Sequence, residues 1–500
     1  MSEAFPGLPP PPAPPEPRPA SAVILWRDGP RGREVYWVRR GEGLSFAGGF
    51  YAFPGGRLDP ADAAVPVPGL SGREAALVAC ACRELFEETG VLLARGAGRL
   101  SRPERDEARR SLLGDRLSFG DFLARSGLAI DPAPLAPAGR WVTPAIFPVR
   151  YDAQFFLVGL PPGEEAAVWP GELSAGEFVA TGAALALWER GEVLLHPPNH
   201  WGIACLDRQA PPGCLPALRE PRQRDDGPIP RIEFQKGVFM APLRTPTLPP
   251  ASQTNAWLVE AGAGLAVVDP GSPDPGEQAR LERLLDALAA EGLPAREIWL
   301  THHHGDHVGG AAALAASRGL PVRAHALTLG RLRLGRAEVR PVEDGELLLG
   351  RWRALFTPGH AAGHLCFLDE RSQALLAGDM VSTLSTVVID PPEGDMAEYL
   401  RQLRRLRDLA PRTLYPAHGA PAPSAVLELD KVLEHRRARA DKVLAALAAG
   451  GDLPEVTRAA YADTPAAMLP VAERSCLATL LMLEAEGRAR REGEAWRLNS

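Results

Sequence analysis

The segment 300–311, LTHHHGDHVGGA, concentrates side chains that bind divalent cations. Four of the eleven histidines of the chain lie within it, together with Asp306. Neutral imidazole and carboxylate are the ligands that suit zinc and its neighbours among the divalent metals. In an extended segment His302 and His304 point to one side and His303 points away. The segment therefore predicts part of a metal site.

Three later segments carry the same kind of residue. Each follows an apolar, strand-like run: TPGHAAGH contains His360, LAGDM contains Asp379 and YPAHGAP contains His418. Gly305 is free in φ, so we expect it to turn His307 and the neighbouring aspartate toward the same rim of a sheet. A lone histidine is more often a satisfied polar residue of a loop, but four such segments in order favour a site for two ions.

The first segment resembles the H-x-H-x-D-H signature of the metallo-β-lactamase superfamily, and the resemblance covers about residues 235–428. It implies an αββα sandwich with two zinc ions at the sheet rim. It assigns His302, His304 and His360 to one ion, Asp306, His307 and His418 to the other, and Asp379 to a bridge between them. The implied chemistry is a bridging hydroxide that attacks an ester, thioester or phosphodiester, with Asp306 among the catalytic residues.

Three residues near these ligands match no metal position of that family. His303 and His364 are expected to orient the ligands through hydrogen bonds or to pack beside them. Asp269, in VVDPG, matches an early acidic residue that we expect to support the metal loop.

A second cluster lies in the first half of the chain, in RELFEETG. Glu84, Glu87 and Glu88 share one face of a helix predicted over about residues 73–93. Three adjacent carboxylates repel one another, and a cation removes that penalty. Oxygen ligands with incomplete protein coordination suit Mg²⁺ or Mn²⁺, with a substrate phosphate supplying the rest. The alternative interpretation is an exposed acidic face.

Together with FPGGRLD upstream, this helix resembles the Nudix box, within a region of about residues 20–225. The resemblance implies an α/β/α sandwich in which the three glutamates bind the metal and catalyse hydrolysis of a diphosphate, in a nucleoside diphosphate-X or coenzyme A-like substrate. Gly56 is then the leading glycine. A long insertion separates it from Glu74, which lies one position out of the register set by Arg83, so the general base stays open.

The length of 500 residues predicts several domains. We predict a disordered proline-rich tail over 1–20, a Nudix-like domain over 21–228, a lactamase-like domain over 235–428 and a small winged-helix-like domain over 430–500. Residues 212–234 combine prolines, glycines and charges without an apolar period, which is typical of a linker.

Charge and composition narrow the class of protein. The net charge of -7 gives no overall attraction for nucleic acid. No uninterrupted apolar run approaches the ~20 residues of a membrane helix. The six scattered cysteines favour a reducing compartment, so we expect a cytoplasmic protein without a membrane partner.

Two function hypotheses follow. In the first, both sites hydrolyse small molecules such as a coenzyme A derivative or a nucleotide, and in one version a coenzyme A derivative is the substrate of both sites. In the second, the chain is an RNA-processing endoribonuclease whose winged helix binds RNA and whose Nudix domain senses nucleotides without catalysis. The last 70 residues (431–500) carry eleven basic and ten acidic side chains, which is poor support for a surface that tracks phosphates.

Overall fold

The computed structural model describes residues 10, 13–42, 48–145, 147–169, 171–220 and 231–499. They divide into two compact units, the first made mainly of 14–220 and the second mainly of 237–499. Most of the predicted tail, and the central part of the predicted linker, lie outside the described residues. The tail prediction extends too far, because the first strand already begins at Arg18.

The first unit combines strands with helices in the following order along the chain. Its strands are β1 (Arg18–Gly29), β2 (Gly32–Arg40), β3 (Tyr51–Ala52), β4 (Gly55–Arg57), β5 (Ala94–Arg95), β6 (Ala129–Ile130), β7 (Ala136–Val142), β8 (Tyr151–Gly159) and β9 (Leu173–Ala180). Its helices are α1 (Gly72–Thr89), α2 (Arg102–Leu113), α3 (Phe119–Arg125), α4 (Thr181–Glu189), α5 (Pro197–Arg208) and α6 (Leu215–Arg219).

A mixed sheet of order β3-β2-β1-β8-β7 forms the centre of this unit, with β9 paired to β2 and β4 to β1. Successive side chains of a strand point to opposite faces. Val23 and Leu25 accordingly share a core with Phe86 of α1, whereas Ile24 shares a core with Ile203 of α5. Helices therefore cover both faces of the sheet, and the predicted α/β/α sandwich is confirmed.

Helix α1 is the element that carries the glutamate cluster. It ends at Thr89, earlier than predicted, because Gly90 adopts a left-handed conformation (φ 79°) and donates its N–H to the carbonyl of Phe86. Its apolar residues, among them Leu85, are buried under the sheet.

The second unit begins with an α/β region. Its strands are β10 (Ile232–Gln235), β11 (Val238–Arg244), β12 (Gln253–Ala261), β13 (Gly264–Val268), β14 (Ala295–Trp299), β15 (Val322–Ala324), β16 (Val339–Pro341), β17 (Leu347–Leu348), β18 (Trp352–Phe356), β19 (Leu365–Asp369), β20 (Ala374–Gly378) and β21 (Thr413–Pro416). Its helices are α7 (Pro275–Ala290), α8 (Gly305–Val308), α9 (Ala311–Arg318), α10 (Ala326–Leu329) and α11 (Met396–Asp408).

These strands form two sheets, of order β10-β11-β12-β13-β14-β15-β16 and β17-β18-β19-β20-β21. Rings from the two sheets meet at Trp299 and Phe367, whose centroids lie 5.2 Å apart. Leu285 of α7 packs on the outer face of the first sheet, and Leu403 of α11 belongs to the core on the outer face of the second. The predicted αββα sandwich is confirmed.

The chain ends with α12 (Ala425–Leu447), α13 (Leu453–Ala460), α14 (Leu469–Ala485) and the strands β22 (Gly451–Asp452), β23 (Ala489–Glu492) and β24 (Ala495–Leu498). The strands pair in the order β22-β24-β23, which with the helices gives the predicted winged helix. Helix α12 runs unbroken through residues 428–430, where the sequence suggested a boundary.

One helical segment, 466–485, is long and apolar enough to cross a membrane. It contains Glu473 and Arg474, and 44% of its apolar window is buried inside the protein. Leu480 and Leu483 of this segment are fully buried in the core that α12 and α13 share.

Candidate metal centres

The residues predicted to bind zinc converge at one rim of the αββα sandwich. They follow the ends of separate strands: His302 comes after β14, His360 after β18, Asp379 after β20 and His418 after β21. The pairs β13–β14 and β20–β21 are parallel, so their carboxyl ends meet at the same edge of each sheet.

The first predicted ligand set surrounds one point. His304 Nδ1 lies 2.9 Å from His302 Nε2 and 3.0 Å from His360 Nε2. His302 Nδ1 contacts the Thr301 hydroxyl at 2.9 Å, and that hydroxyl already donates to a carboxylate. His302 Nδ1 therefore carries the proton, and its Nε2 presents a lone pair to the centre. Three nitrogens crowded in this way suit a shared cation.

The second set is fully or almost fully buried. Asp306, His307 and His418 offer ligand atoms within 4.8 Å of one another. Asp379 lies between the two sets, with Oδ2 3.5 Å from His360 Nε2 and Oδ1 3.5 Å from His418 Nε2.

Buried atoms without partners test whether a cation fits here. Both carboxylate oxygens of Asp306, Asp379 Oδ1 and His307 Nε2 are buried and have no hydrogen-bond partner. Leaving a carboxylate in that condition costs several kcal/mol, so such groups are normally paired or bound to a metal. The donor set and its orphaned atoms therefore fit divalent cations.

Hydrogen bonds from the chain fix the imidazoles in the form that binds metal. His360 Nδ1 donates to the carbonyl of Val388 at 2.8 Å, and His418 Nδ1 donates to that of Gln253 at 3.0 Å. His307 Nδ1 donates to Asp269 Oδ2 at 2.9 Å. Each bond places the proton on Nδ1 and turns the lone pair of Nε2 toward the centre.

Two residues outside the ligand sets hold the loops in place. Asp269 accepts hydrogen bonds from the Thr301 backbone N–H at 2.8 Å and from the Thr301 hydroxyl at 2.6 Å. His364 Nε2 accepts from the backbone N–H of Asp379 at 3.1 Å. Burial lowers the pKa of His364 to about 3, which keeps this imidazole neutral and able to accept.

The pKa values of the histidines in this centre are shifted in opposite directions. Burial lowers the pKa of His302, His304 and His360, so their neutral, metal-binding forms persist at ordinary pH. Burial also acts against protonation of His307, but the neighbouring carboxylates Asp379 and Asp306 raise its pKa well above the usual value. The carboxylates therefore attract positive charge, which a divalent cation supplies.

The backbone conformation at Gly305 differs from the one expected from the sequence. Gly305 does not adopt a left-handed φ; it begins the helical turn α8, and the His304 carbonyl accepts from the N–H of His307 at 2.9 Å. This turn, rather than a strained glycine, directs Asp306 and His307 inward.

At the outer edge of this centre His303 meets a charged pair. His303 Nε2 lies 3.4 Å from both Glu393 Oε2 and Arg331 Nη1. Glu393 accepts from Arg331 at 2.6 Å and from the backbone N–H of Ala362 at 3.1 Å. Arg331 is thereby held beside the metal ligands while its side chain remains 47% exposed.

The predicted magnesium ligands lie together on α1. Arg83 Nη1 donates to Glu84 at 2.8 Å and to Glu87 at 3.1 Å, and Glu88 accepts from the backbone N–H of Gly55 at 2.9 Å. Burial raises the pKa of Glu84 to about 7 and that of Glu88 well above its usual value. Without a cation, Arg83 and protonation relieve the repulsion between these carboxylates.

The structure identifies a functional candidate that our sequence analysis missed. Asp62 is 1% exposed and forms a two-point ion pair with Arg83. Five residues separate Gly56 from Asp62, which is the spacing expected for the first acidic residue of the box. The insertion therefore follows this acid rather than preceding it, and Glu74, the residue considered from the sequence, is exposed. The spacing G-x5-D was the signal that could have revealed it.

Glycine is required at position 56 because the backbone there lies close to the Glu84 side chain. A Cβ atom at this position would lie 2.5 Å from the carboxylate of Glu84. The absence of a side chain therefore lets the backbone of β4 pass directly over the glutamate cluster.

Comparisons with known proteins agree with this geometry. The family model of the NUDIX domain matches residues 16–180, that of the metallo-beta-lactamase superfamily matches 249–418, and that of the beta-lactamase associated winged helix domain matches 453–496. Lactamase-like protein vrtG of Penicillium aethiopicum is 33% identical over 250 residues, which is 47% of this chain and 76% of that protein.

Two further similarities are narrower. Atrochrysone carboxyl ACP thioesterase of Aspergillus fumigatus is 31% identical over 198 residues, covering 39% of this chain and 59% of that protein. The crystal structure of a NUDIX hydrolase from Alicyclobacillus acidocaldarius is 30% identical, covers 39% of this chain and 92% of that one, and has a TM-score of 0.34.

The chain combines an αββα sandwich that carries this histidine and aspartate centre with an α/β/α sandwich that carries the glutamate helix, and both are folds of metal-dependent hydrolases. The chain belongs to the metallo-beta-lactamase superfamily and carries a NUDIX domain before the lactamase fold and a winged helix after it. Both enzyme families are hydrolases that bind divalent metals.

Proposed function

We propose that the lactamase domain is a dinuclear zinc thioesterase and that the NUDIX domain hydrolyses a diphosphate with Mg²⁺ or Mn²⁺. A coenzyme A derivative, which contains both bonds, is the substrate class we favour for the pair. The observation that carries the zinc assignment is the set of buried, unpartnered carboxylate and imidazole atoms of Asp306, Asp379 and His307. When bound, a pair of zinc ions supplies an activated water at neutral pH and polarises the bond that is cleaved.

The ligand residues have distinct tasks in this proposal. His302, His304 and His360 would hold one ion, Asp306, His307 and His418 the other, and Asp379 would contact both. Asp269 fixes the tautomer of His307, and His364 fixes the backbone of Asp379. These bonds hold the donor atoms in one geometry before substrate arrives, which reduces the reorganisation needed during the reaction.

Charge at the outer edge of the zinc centre supports an anionic substrate. Arg331 is held there by Glu393, and Arg333 and Arg336 follow it on an exposed segment. Within the described part of the chain, Arg333 and Arg336 form no salt bridge. Exposed guanidinium groups bind phosphates well, and coenzyme A carries several. The thioesterase among the relatives supports the same reaction type.

The NUDIX assignment depends on the carboxylates of α1. Glu84, Glu87 and Glu88 would hold the metal, while Asp62 keeps Arg83 in place between Glu84 and Glu87. Mg²⁺ or Mn²⁺ would neutralise these carboxylates together with the substrate diphosphate.

The winged helix gives little support for RNA as substrate. Several of its basic residues are engaged by acids: Arg439 and Lys442 pair with Asp463, and Arg490 and Arg497 pair with Glu492. A surface that tracks phosphates needs unpaired cations along a stripe.

Turnover by the full-length protein tests the proposal. Loaded with zinc, it should release a free thiol from acyl-coenzyme A, and with Mg²⁺ it should cleave the diphosphate of coenzyme A. His304→Ala should remove the first reaction and Glu84→Gln the second. Cleavage of single-stranded RNA that is lost in His304→Ala, without thioester turnover, would contradict the proposal in favour of a nuclease.

A further inference from the structure

The segment 387–391 lies between the ligand His360 and the C-terminal helices α12 and α14. We infer that the C-terminal domain positions His360 through this segment, and that Ser475 and Arg436 are positioning residues of the metal centre. The inference rests on the proposed function only in requiring that the centre bind metal. It assigns the C-terminal domain a role in metal affinity that is independent of RNA.

Segment 387–391 contacts the ligand His360 directly. The carbonyl of Val388 accepts the hydrogen bond from His360 Nδ1 at 2.8 Å. This is the hydrogen bond through which the imidazole of His360 is oriented, and its Nε2 points at His304 Nδ1, 3.0 Å away. A shift of the Val388 carbonyl would therefore rotate the ring and displace the ligand atom.

Helices of the C-terminal domain bind the residues on both sides of Val388. The N–H of Ile389 donates to Ser475 Oγ of α14 at 3.1 Å, and the Ile389 side chain is fully buried. The guanidinium of Arg436, on α12, donates to the carbonyl of Val387. Two neighbouring peptide groups are thus fixed, and the second of them contains the Val388 carbonyl, because that carbonyl and the Ile389 N–H belong to the same peptide unit.

Two more contacts extend this arrangement. Arg474 of α14 donates to the side chain of Asp390 and, at 3.0 Å, to the carbonyl of Pro391. The Arg436 guanidinium also lies over the ring of Tyr399, 5.3 Å from its centroid. The Tyr399 hydroxyl donates to the carbonyl of Met380 at 2.7 Å, in the residue that follows the predicted bridging ligand Asp379. The same arginine therefore supports two loops of the centre.

Because Arg436 and Ser475 are buried, packing alone does not explain why polar side chains occupy these two positions. Arg436 is only 4% exposed and Ser475 only 6%. Burying a guanidinium or a hydroxyl costs free energy unless it gains hydrogen bonds, and an apolar side chain would fill either position without that cost. The hydrogen bonds that these residues make go to the loop that holds the ligand. Positional control of that loop accounts for their chemistry.

Zinc affinity of the full-length protein, stripped of metal and titrated in competition with a chelator, tests the inference. Ser475→Ala removes the acceptor of the Ile389 N–H. It should lower the affinity for one of the two zinc ions about tenfold, as the loss of groups that orient metal ligands does. The other ion should bind as in the wild type, and the metal-free variant should melt lower by no more than the loss of one buried hydrogen bond explains. The visible spectrum of the Co²⁺ form should shift, because the geometry at His360 changes.

Thr479→Val is the matched control. Thr479 lies one turn later on α14, is 3% exposed, and donates its hydroxyl to the Ser475 carbonyl at 2.8 Å, within the helix. It loses a buried hydroxyl as Ser475→Ala does, but makes no hydrogen bond to segment 387–391, so its zinc affinity should equal that of the wild type.

Arg436→Met supplies a second test and should show the same loss of zinc affinity. Arg436→Lys should recover that affinity. If Arg436→Met fails to fold, Ser475→Ala decides the question by itself. Unchanged affinity for both ions and an unchanged Co²⁺ spectrum in Ser475→Ala would overturn the inference. A wild-type protein that binds no zinc would instead overturn the proposed function.

Discussion

The carboxylate of Asp62 holds the guanidinium of Arg83 at two points, with Oδ1 2.8 Å from Nε and Oδ2 2.9 Å from Nη2. The same guanidinium contacts Glu84 and Glu87, two of the proposed magnesium ligands. Asp62 therefore acts on the metal site through Arg83, across a separation of 21 residues along the chain.

Asp62→Asn should lower diphosphate hydrolysis by about 10–100-fold, because Arg83 loses its ionic partner and the ligands lose their fixed geometry. Steady-state rates at saturating and limiting Mg²⁺ would measure this loss. Glu74→Gln is the control, since Glu74 is exposed and should change nothing. Equal losses in the two variants would show that Asp62 has no special role.

Zinc removal should destabilise the second unit. A ligand that binds only the folded state adds about 2.7 kcal/mol to the free energy of unfolding at a concentration of 100 times its Kd. Calorimetry with and without a chelator would therefore show a lower melting temperature for the metal-free second unit and an unchanged transition for the first.

Asp306→Asn should reduce the stability that zinc adds, since both oxygens of Asp306 are buried without a hydrogen-bond partner and are proposed to bind the ion. Without metal the variant should melt close to the wild type, because it loses the cost of a buried carboxylate but also the attraction of Asp306 for protonated His307. With zinc it should gain less stability than the wild type. If zinc raises the melting temperature of the variant as much as that of the wild type, Asp306 is not a ligand.

Binding of Mg²⁺ to the NUDIX site should strengthen as pH rises from 5 to about 8. Burial raises the pKa of Glu84 from 4.5 to about 7, so the metal must displace a proton over this range. Calorimetric titration in buffers of different ionisation enthalpy would detect the released proton. Affinity that is independent of pH would contradict a role for Glu84 as ligand.

The same shift has a consequence for stability in the absence of metal. The folded state holds the proton of Glu84 more tightly than the unfolded state does. The contribution of Glu84 to the free energy of unfolding is therefore full below pH 4.5 and is lost as pH rises through about 7. Chemical denaturation of metal-free wild type and Glu84→Gln between pH 4 and 8 would show a smaller decline with pH in the variant.

His304→Ala should abolish zinc-dependent hydrolysis and lower the zinc content from two ions toward one, while the first unit stays folded. The reason is that His304 Nδ1 lies beside both His302 Nε2 and His360 Nε2. Metal analysis and circular dichroism would follow the two effects. His325→Ala is a suitable control, because His325 stacks on Phe356 and belongs to no group of candidate ligands among the described residues. Full activity of His304→Ala would refute a dinuclear centre.

Most of the candidate zinc centre could be read from the sequence because its donors have a distinctive chemistry. Imidazole and carboxylate groups after four apolar strands predicted a common rim, and the structure brings them together there. The backbone conformation of the loop was not predictable from the sequence. The turn at Gly305 is helical, because the backbone hydrogen bonds of α8 determine it rather than the conformational freedom of one glycine.

The glutamate helix was predictable for a similar reason, because three carboxylates spaced by three and four residues share a face of any helix. Its partner Asp62 was not found, since a long insertion separates it from Arg83 and only Glu74, nearer to Arg83, was considered, although five residues separate Asp62 from Gly56.

By themselves, the side-chain types and their spacing indicated two clusters of possible metal ligands, and the hydrophobic period indicated α/β elements, because these are local properties of the chain. The layered folds were implied by the resemblance of the motifs to known families. Only the tertiary structure decided how the ligands are oriented. The bonds that orient them run to backbone carbonyls such as those of Val388 and Gln253, which every residue possesses. Such groups leave no mark in the sequence, so the link from Ser475 to His360 appears only when distant segments pack together.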